Sequence, residues 1–152
     1  MKTVLFLDFD GVTHPEPCFD AQAFCCLHLI EAVLREHPTV EIVISSSWRD
    51  HHPLDELRAF FSADIGPRVV GVTPSIKVPD SSWLPGQVSK FERQWECESW
   101  LRQHRPGAHW VAIDDRPYWF EPDCPNLLVT ERTVGFRLDH ACELDRMFRE
   151  RS

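Results

Sequence analysis

Val4-Leu5-Phe6-Leu7-Asp8-Phe9-Asp10-Gly11 is the stretch that decides the fold: four apolar residues that read as a buried strand, then two carboxylates one residue apart and a glycine. Two acids at a strand tip can divide labour, one attacking or binding metal while the other handles protons. An acidic turn can also be only a solvated loop, and Asp-x-Asp-Gly occurs in calcium loops of the EF-hand kind. That loop needs a helix before it and a bidentate Glu near its end. Here a strand-like segment comes first, and Pro15, Pro17 and Cys18 stand where further ligands should fall.

Downstream, Asp20 caps a periodic apolar pattern that predicts a helix from about Ala21 to Glu36, stopped by His37-Pro38. Val40 to Ile44 is a second, β-branched strand running into Ser45-Ser46-Ser47-Trp48-Arg49. A short helix follows, with Pro53 near its first turn and Leu54, Leu57, Phe60 and Phe61 facing inward. Val69 to Val72 reads as a third strand. From Thr73 to Gln87, Pro74, Pro79, Pro85 and Gly86 break all periodicity, which makes this the longest loop and the candidate substrate-facing segment. Ser89-Lys90-Phe91-Glu92 is a capping box for a helix whose apolar stripe is Phe91, Trp95, Trp100 and Leu101, ending near Arg105-Pro106-Gly107. His109 to Ile113 is a strand with Asp114 and Asp115 at its tip, Asn126 to Val129 a last short strand, and Leu138 to Arg149 a terminal helix.

Strands alternating with helices predict an α/β fold: a mostly parallel central sheet with helices on both faces, in three Rossmann-like layers. Ligands of such sheets bind beyond the carboxyl ends of the strands. Asp8, Asp10, Ser45, Ser46, Asp114 and Asp115 all follow strands at that edge, so three strands bring polar groups to one place.

At 152 residues the chain is read as one domain. Its 43% hydrophobic and 26% charged residues exclude wholesale disorder, and no apolar run is long enough to span a bilayer. The apolar start is too brief for a secretory signal, so a cytoplasmic location is the expectation. A net charge of -8 argues against a broad basic nucleic-acid surface but leaves room for a nucleotide substrate held locally. Cys18, Cys25, Cys26, Cys97, Cys124 and Cys142 form no Cys-x-x-Cys pair and no zinc-type spacing with histidine, and read as reduced packing residues. His14, His51, His52 and His140 lack metal-ligand spacing and read as loop or surface residues. Trp83, Trp110 and Trp119 read as core or loop anchors rather than a base-stacking platform.

Four carboxylates at one edge repel each other unless some are protonated or a cation sits among them, and Mg²⁺ is the natural occupant because it favours oxygen ligands and phosphate. In motif order the chain resembles the haloacid dehalogenase (HAD) superfamily of aspartyl-phosphate-forming hydrolases, in particular small capless bacterial members similar to the HAD domains of RNA-repair proteins. Asp8-Phe9-Asp10-Gly11 resembles the first motif, the serine after Val40 to Ile44 the second, a basic residue on the helix after the long loop the third, and Asp114-Asp115 the fourth.

The resemblance implies Asp8 as nucleophile and metal ligand, and Asp10 as general acid/base and a metal ligand through its backbone carbonyl. Asp114 would be a metal ligand, with Asp115 orienting it or the metal's water. Ser45, with Ser46 close behind, would hydrogen-bond the phosphoryl oxygens, although the serine run can equally cap the next segment. Arg49 would bind substrate phosphate or make a structural salt bridge. Lys90 or Arg93 would neutralise the phosphoryl group, unless these are surface helix charges. Thr133 and Gly135 resemble a loop that borders the site.

Neither interval that holds a cap in larger relatives has room for one, so the site is expected to be open, admitting a large substrate such as a nucleic-acid end or a phosphoprotein, or else relying on the Thr73 to Gln87 loop or a partner subunit to exclude water. The resemblance to RNA-repair members favours a nucleotide or polynucleotide phosphate. The competing class is a non-catalytic Mg²⁺-binding phosphoacceptor or protein-interaction module. A receiver-type phosphoacceptor carries a single aspartate on a middle strand, where this chain has serine.

Overall fold

Period-two alternation along β1 (Thr3–Leu7) sets the layers. Leu5 and Leu7 pack with Ile42, Ile44, Val111 and Ile113 in one apolar cluster, and Val4 and Phe6 with Val43 and Ala112 in another. Both faces of the strand are therefore covered, which is why its sequence is a continuous apolar run rather than an alternating one. These relations come from a computed structural model that describes residues 2–75 and 91–151.

The other strands are β2 (Glu41–Ile44), β3 (Val69–Val72), β4 (His109–Asp114) and β5 (Leu127–Val129), in the order β3-β2-β1-β4-β5 with every pairing parallel. The chain winds outward from β1 to β3 and then returns to the other side of β1. β1 and β4 thus flank the topological switch point, where an open parallel sheet leaves a crevice at its carboxyl end. Leu7 pairs with both Ile44 and Ile113, so Asp8, Ser45 and Asp114 come next in the same rank.

Helices α1 (Leu27–Glu36), α2 (Leu54–Ala59) and α4 (Leu138–Arg151) cover the Leu5 face through Leu27, Ile30, Leu34, Leu57, Leu144, Met147 and Phe148. Helix α3 (Glu92–His104) covers the other through Cys97, Trp100 and Leu101. Pro53 immediately precedes α2, and the strand positions follow the sequence reading to within a residue or two.

Two expectations need correction. The helix predicted from Ala21 begins only at Leu27: Asp20–Gln22 is a short 3-10 turn, and Phe24 adopts φ +60, a left-handed conformation no helix can contain. The apolar periodicity through Phe24 and Cys26 was real, since both pack against the core, but it runs through a turn rather than a helix. In α3 the expected stripe is displaced. Trp95 is partly exposed, whereas Arg93, Gln94, Glu96 and Ser99 are buried beside Cys97, Trp100 and Leu101. Its inward face is polar at the end nearest the crevice, and polar groups hidden there need partners. Ser89 and Lys90 of the capping box, with most of the long loop and Trp83, lie outside the described residues.

Candidate active site

The chain leaves β1 through a tight turn. Phe9 points into the core, its carbonyl accepts from the Val12 and Thr13 amides, and Gly11 takes φ +77. Glycine is required there twice over. A Cβ would meet the Asp115 Oδ2 at 2.4 Å, besides the strain of a side chain in that conformation. The turns after β1 and β4 are nested, and the Thr130 hydroxyl beyond β5 ties them by donating to the Gly11 carbonyl at 2.7 Å.

Asp8, Asp114 and Asp115 meet at this junction, with carboxylate oxygens within 4.8 Å of one another. Asp8 is buried and accepts from the Phe9 amide; Asp114 is 1% exposed and accepts from the Arg116 amide at 3.0 Å. Burial pushes the Asp8 carboxyl well above its usual range, reinforced by the Asp114 charge and opposed by Arg93. Burial likewise raises Asp114, to about 7, against the pull of Arg93. Asp114 Oδ2 and both Asp115 oxygens are shut off from solvent without a hydrogen-bond partner. Three hard oxygen donors under mutual repulsion, with unpartnered lone pairs, fit a divalent cation such as Mg²⁺.

Arg93 is the cation already in place. Its Nη1 stands 3.9 Å from Asp8 Oδ1 and its Nε 4.0 Å from Asp114 Oδ2 and 3.5 Å from Glu96 Oε1. Burial works to lower its pKa, but the Asp114, Asp8 and Glu96 charges outweigh it and the guanidinium is held charged. Nη1 is buried with no hydrogen-bond partner, so it is a donor left over for an anion. Glu96 also accepts from Arg49 at 2.8 Å, and Arg49 donates to the Ser45 and Ser46 carbonyls. Arg49 is thus engaged in a buried brace between the end of β2 and α3.

A cleft of ≈ 120 Å³ opens over the acids, lined by Asp8, Asp10, Glu16, Ser47, Arg93, Asp115, Arg116 and Trp119. Ser45 and Ser46 are buried at the end of β2 and are not among these lining residues; the Ser46 hydroxyl accepts from the Trp48 amide, capping the 3-10 turn Ser47–Asp50. Trp119, read as an anchor, lies beneath the guanidinium groups of Arg93 and Arg116, at 4.9 and 4.5 Å from the ring centroid. Thr133 is exposed and donates to Glu131, and Gly135 packs near Cys26 and Val12 beside the turn after β1; neither is among the residues lining the cleft. A larger hollow of ≈ 680 Å³ lined by Cys26, Leu29, Val134, Phe136 and Arg137 to Asp139 shares no residue with the cleft and holds none of its acids.

Asp10 stands outside the acid trio, though it lines the same cleft. Its carboxylate accepts from Trp48 Nε1, 3.2 Å from each oxygen, and lies 2.8 Å from His14 Nε2. The His14 hydrogen bond, ahead of those from Trp48, holds Asp10 below the usual carboxylate range even though burial acts the other way. The expectation that His14 is a loop or surface histidine is therefore corrected: it is 2% exposed and packed against Phe24 and Trp48. Phe24, in its left-handed conformation at a cost of about 1–3 kcal/mol, directs its amide at His14 Nδ1. His51 is exposed, His52 stacks on Trp48, and His140 accepts from the Arg137 amide. Sequence reasoning missed His14, Ser47, Arg116 and Glu96; the four-residue spacing of Asp10 and His14 was the one available clue.

A five-stranded parallel sheet with carboxylates at the tips of β1 and β4, and no cap among the described residues, defines a small α/β domain of the HAD fold. The profile of the HAD domain in Swiss Army Knife RNA repair proteins matches residues 4–141, and the chain belongs to that family of HAD-type hydrolase domains. Comparisons with curated proteins and with solved structures give no significant match.

Proposed function

We propose that the chain is a Mg²⁺-dependent phosphomonoesterase that passes a phosphoryl group to Asp8 and then to water, acting on a nucleotide or polynucleotide end. The observation that carries this reading is the trio Asp8, Asp114 and Asp115 beside Arg93 Nη1, which has no hydrogen-bond partner. These acids would hold Mg²⁺, with Asp10 adding its backbone carbonyl as the family resemblance implies. The bound ion would neutralise phosphate charge and let a carboxylate approach phosphorus.

The Asp8 carboxylate attacks phosphorus as the bond to the leaving oxygen breaks, and Asp10, protonated for this step although its His14 and Trp48 donors favour the ionised form, gives that oxygen a proton. Asp10 then takes a proton from water as the water attacks the aspartyl-phosphate, which releases inorganic phosphate and restores Asp8. Arg93 donates to the phosphoryl oxygens, a role Lys90 would share. Ser47 stands at the cleft and competes with Ser45 and Ser46 for the serine's role; Arg49 is engaged with Glu96 and the carbonyls after β2. The RNA-repair setting of the family and a net charge of -8, which disfavours a broad grip on nucleic acid, support recognition of a nucleic-acid end alone. All six cysteines are free, in keeping with a proposed cytosolic setting.

The test is turnover of a phosphomonoester panel, including RNA with terminal phosphate, by wild type, Asp8→Asn and Asp10→Asn with Mg²⁺. Both variants are expected to lose at least ~100-fold. Retained turnover in Asp8→Asn refutes the nucleophile, and Mg²⁺ binding with no turnover in wild type returns the chain to the non-catalytic class.

A further inference from the structure

We propose that His14 is a positioning residue of this reaction: with Trp48 it fixes the Asp10 carboxylate so that one oxygen is presented to the leaving group. The inference rests on the phosphohydrolase reading above. Its basis is a chain of hydrogen bonds whose directions are determined. The Phe24 backbone N–H, 3.3 Å from His14 Nδ1, can only donate, so Nδ1 accepts. The Thr13 hydroxyl, also 3.3 Å from Nδ1, gives its proton to the Phe9 carbonyl. The ring proton is therefore on Nε2, which donates to Asp10 Oδ1 at 2.8 Å.

Trp48 Nε1–H reaches both Asp10 oxygens at 3.2 Å. Oδ1 thus has the His14 donor and a share of Trp48, and Oδ2 only its share of Trp48, leaving Oδ2 as the oxygen able to exchange a proton with the cleft. His14 keeps its own proton throughout; the proton that moves is on Asp10, which loses it to the leaving oxygen and regains it from water.

The surroundings suit that task. The imidazole is enclosed by Phe24 and Trp48, and Phe24 in turn stacks on Phe60 at 4.5 Å, so no solvent stands ready to replace its donor. Asp10, by contrast, keeps 36% of its side chain exposed toward the cleft. A buried donor is therefore aimed at a half-exposed acid, with its tautomer fixed by a main-chain amide on the far side.

The experiment measures kcat/KM for an alkyl phosphomonoester and for dinitrophenyl phosphate, with Mg²⁺, in wild type, His14→Ala, His14→Gln and Trp48→Phe. kcat/KM reports the steps through leaving-group departure, and only the alkoxide needs a proton to leave. His14→Ala and Trp48→Phe are expected to lower the alkyl-to-dinitrophenyl ratio by ~10-fold or more. His14→Gln, whose amide can donate near the place of Nε2, should recover most of it. Equal losses on both esters, an unchanged ratio, or a folded Gln variant that behaves like Ala would overturn the proposal.

Should His14→Ala fail to fold, the Gln and Trp48 variants still decide. A wild type inactive on both esters refutes the phosphohydrolase reading and this role with it. Nitrogen NMR of the His14 ring is a readout independent of turnover: protonated Nε2 with bare Nδ1 is expected, and the opposite tautomer would overturn the geometry.

Discussion

Replacing Asp114 with asparagine should stabilise the metal-free protein while abolishing its response to Mg²⁺. Asp114 is 1% exposed, and burial raises its carboxyl from an ordinary 3.8 to about 7. The folded state binds this proton more tightly than the unfolded chain, so the associated stability is full below pH 3.8 and lost as pH rises through about 7. At about 1.4 kcal/mol per pH unit, that gap amounts to about 4 kcal/mol in the metal-free protein above neutrality. Asparagine keeps an oxygen for the Arg116 amide, 3.0 Å away, and carries no charge. The pull of Arg93, 4.0 Å away, is already contained in that figure, but the asparagine Nδ2 becomes a buried donor where Oδ2 has no hydrogen-bond partner, which offsets part of the gain by ~1–3 kcal/mol. A net gain of roughly 2 kcal/mol corresponds to about 4–8 °C in Tm for a domain of this size.

The assay is thermal unfolding of wild type and Asp114→Asn at about pH 5 and pH 8, in EDTA and in Mg²⁺. In EDTA the variant should lead at the higher pH and draw level at the lower one, where wild type is protonated. Mg²⁺ should raise only the wild type. A variant less stable than wild type in EDTA at pH 8, or an equal Mg²⁺ response in both, would refute the argument that these acids form a strained cation site.

Glu96→Ala should cost ~3–5 kcal/mol in urea unfolding, because it strips a buried partner from Arg49 at 2.8 Å and Arg93 at 3.5 Å; a loss below ~1 kcal/mol would show that water or other groups take over. Gly11→Ala should destabilise by ~1–2 kcal/mol from its left-handed backbone. By driving the Asp115 carboxylate from a 2.4 Å overlap it should also weaken Mg²⁺ binding in calorimetry. Unchanged affinity would remove Asp115 from the ligand set.

The apolar runs of β1, β2 and β4 were legible because both faces of the inner strands are covered, and that alone ranked Asp8, Ser45 and Asp114 along one edge. The helix starts were less so. Phe24 continues the apolar pattern, yet its backbone turns left-handed to meet His14, and periodicity records hydrophobicity rather than φ. Helix α3 misled for a different reason: a pattern method assigns Arg93 and Glu96 to solvent, whereas here they neutralise one another and Asp8 in the interior. Arg116 and Trp119 were invisible as site residues because their roles come from turns folding back over a strand end, a relation that sequence spacing does not encode, and His14 left only its four-residue spacing from Asp10 as a clue.

The strand order has one more consequence. Apart from Arg93 on α3, every described residue lining the cleft follows β1, β2 or β4, the three inner strands. Among the described residues the outermost strands β3 and β5 contribute none of the lining, and β5 reaches the junction through Thr130 just beyond it. Tolerance to change should therefore be graded sideways across the sheet. The β5 flank away from Thr130 can be lengthened or recoloured in charge while the three inner strands keep the carboxylates in rank.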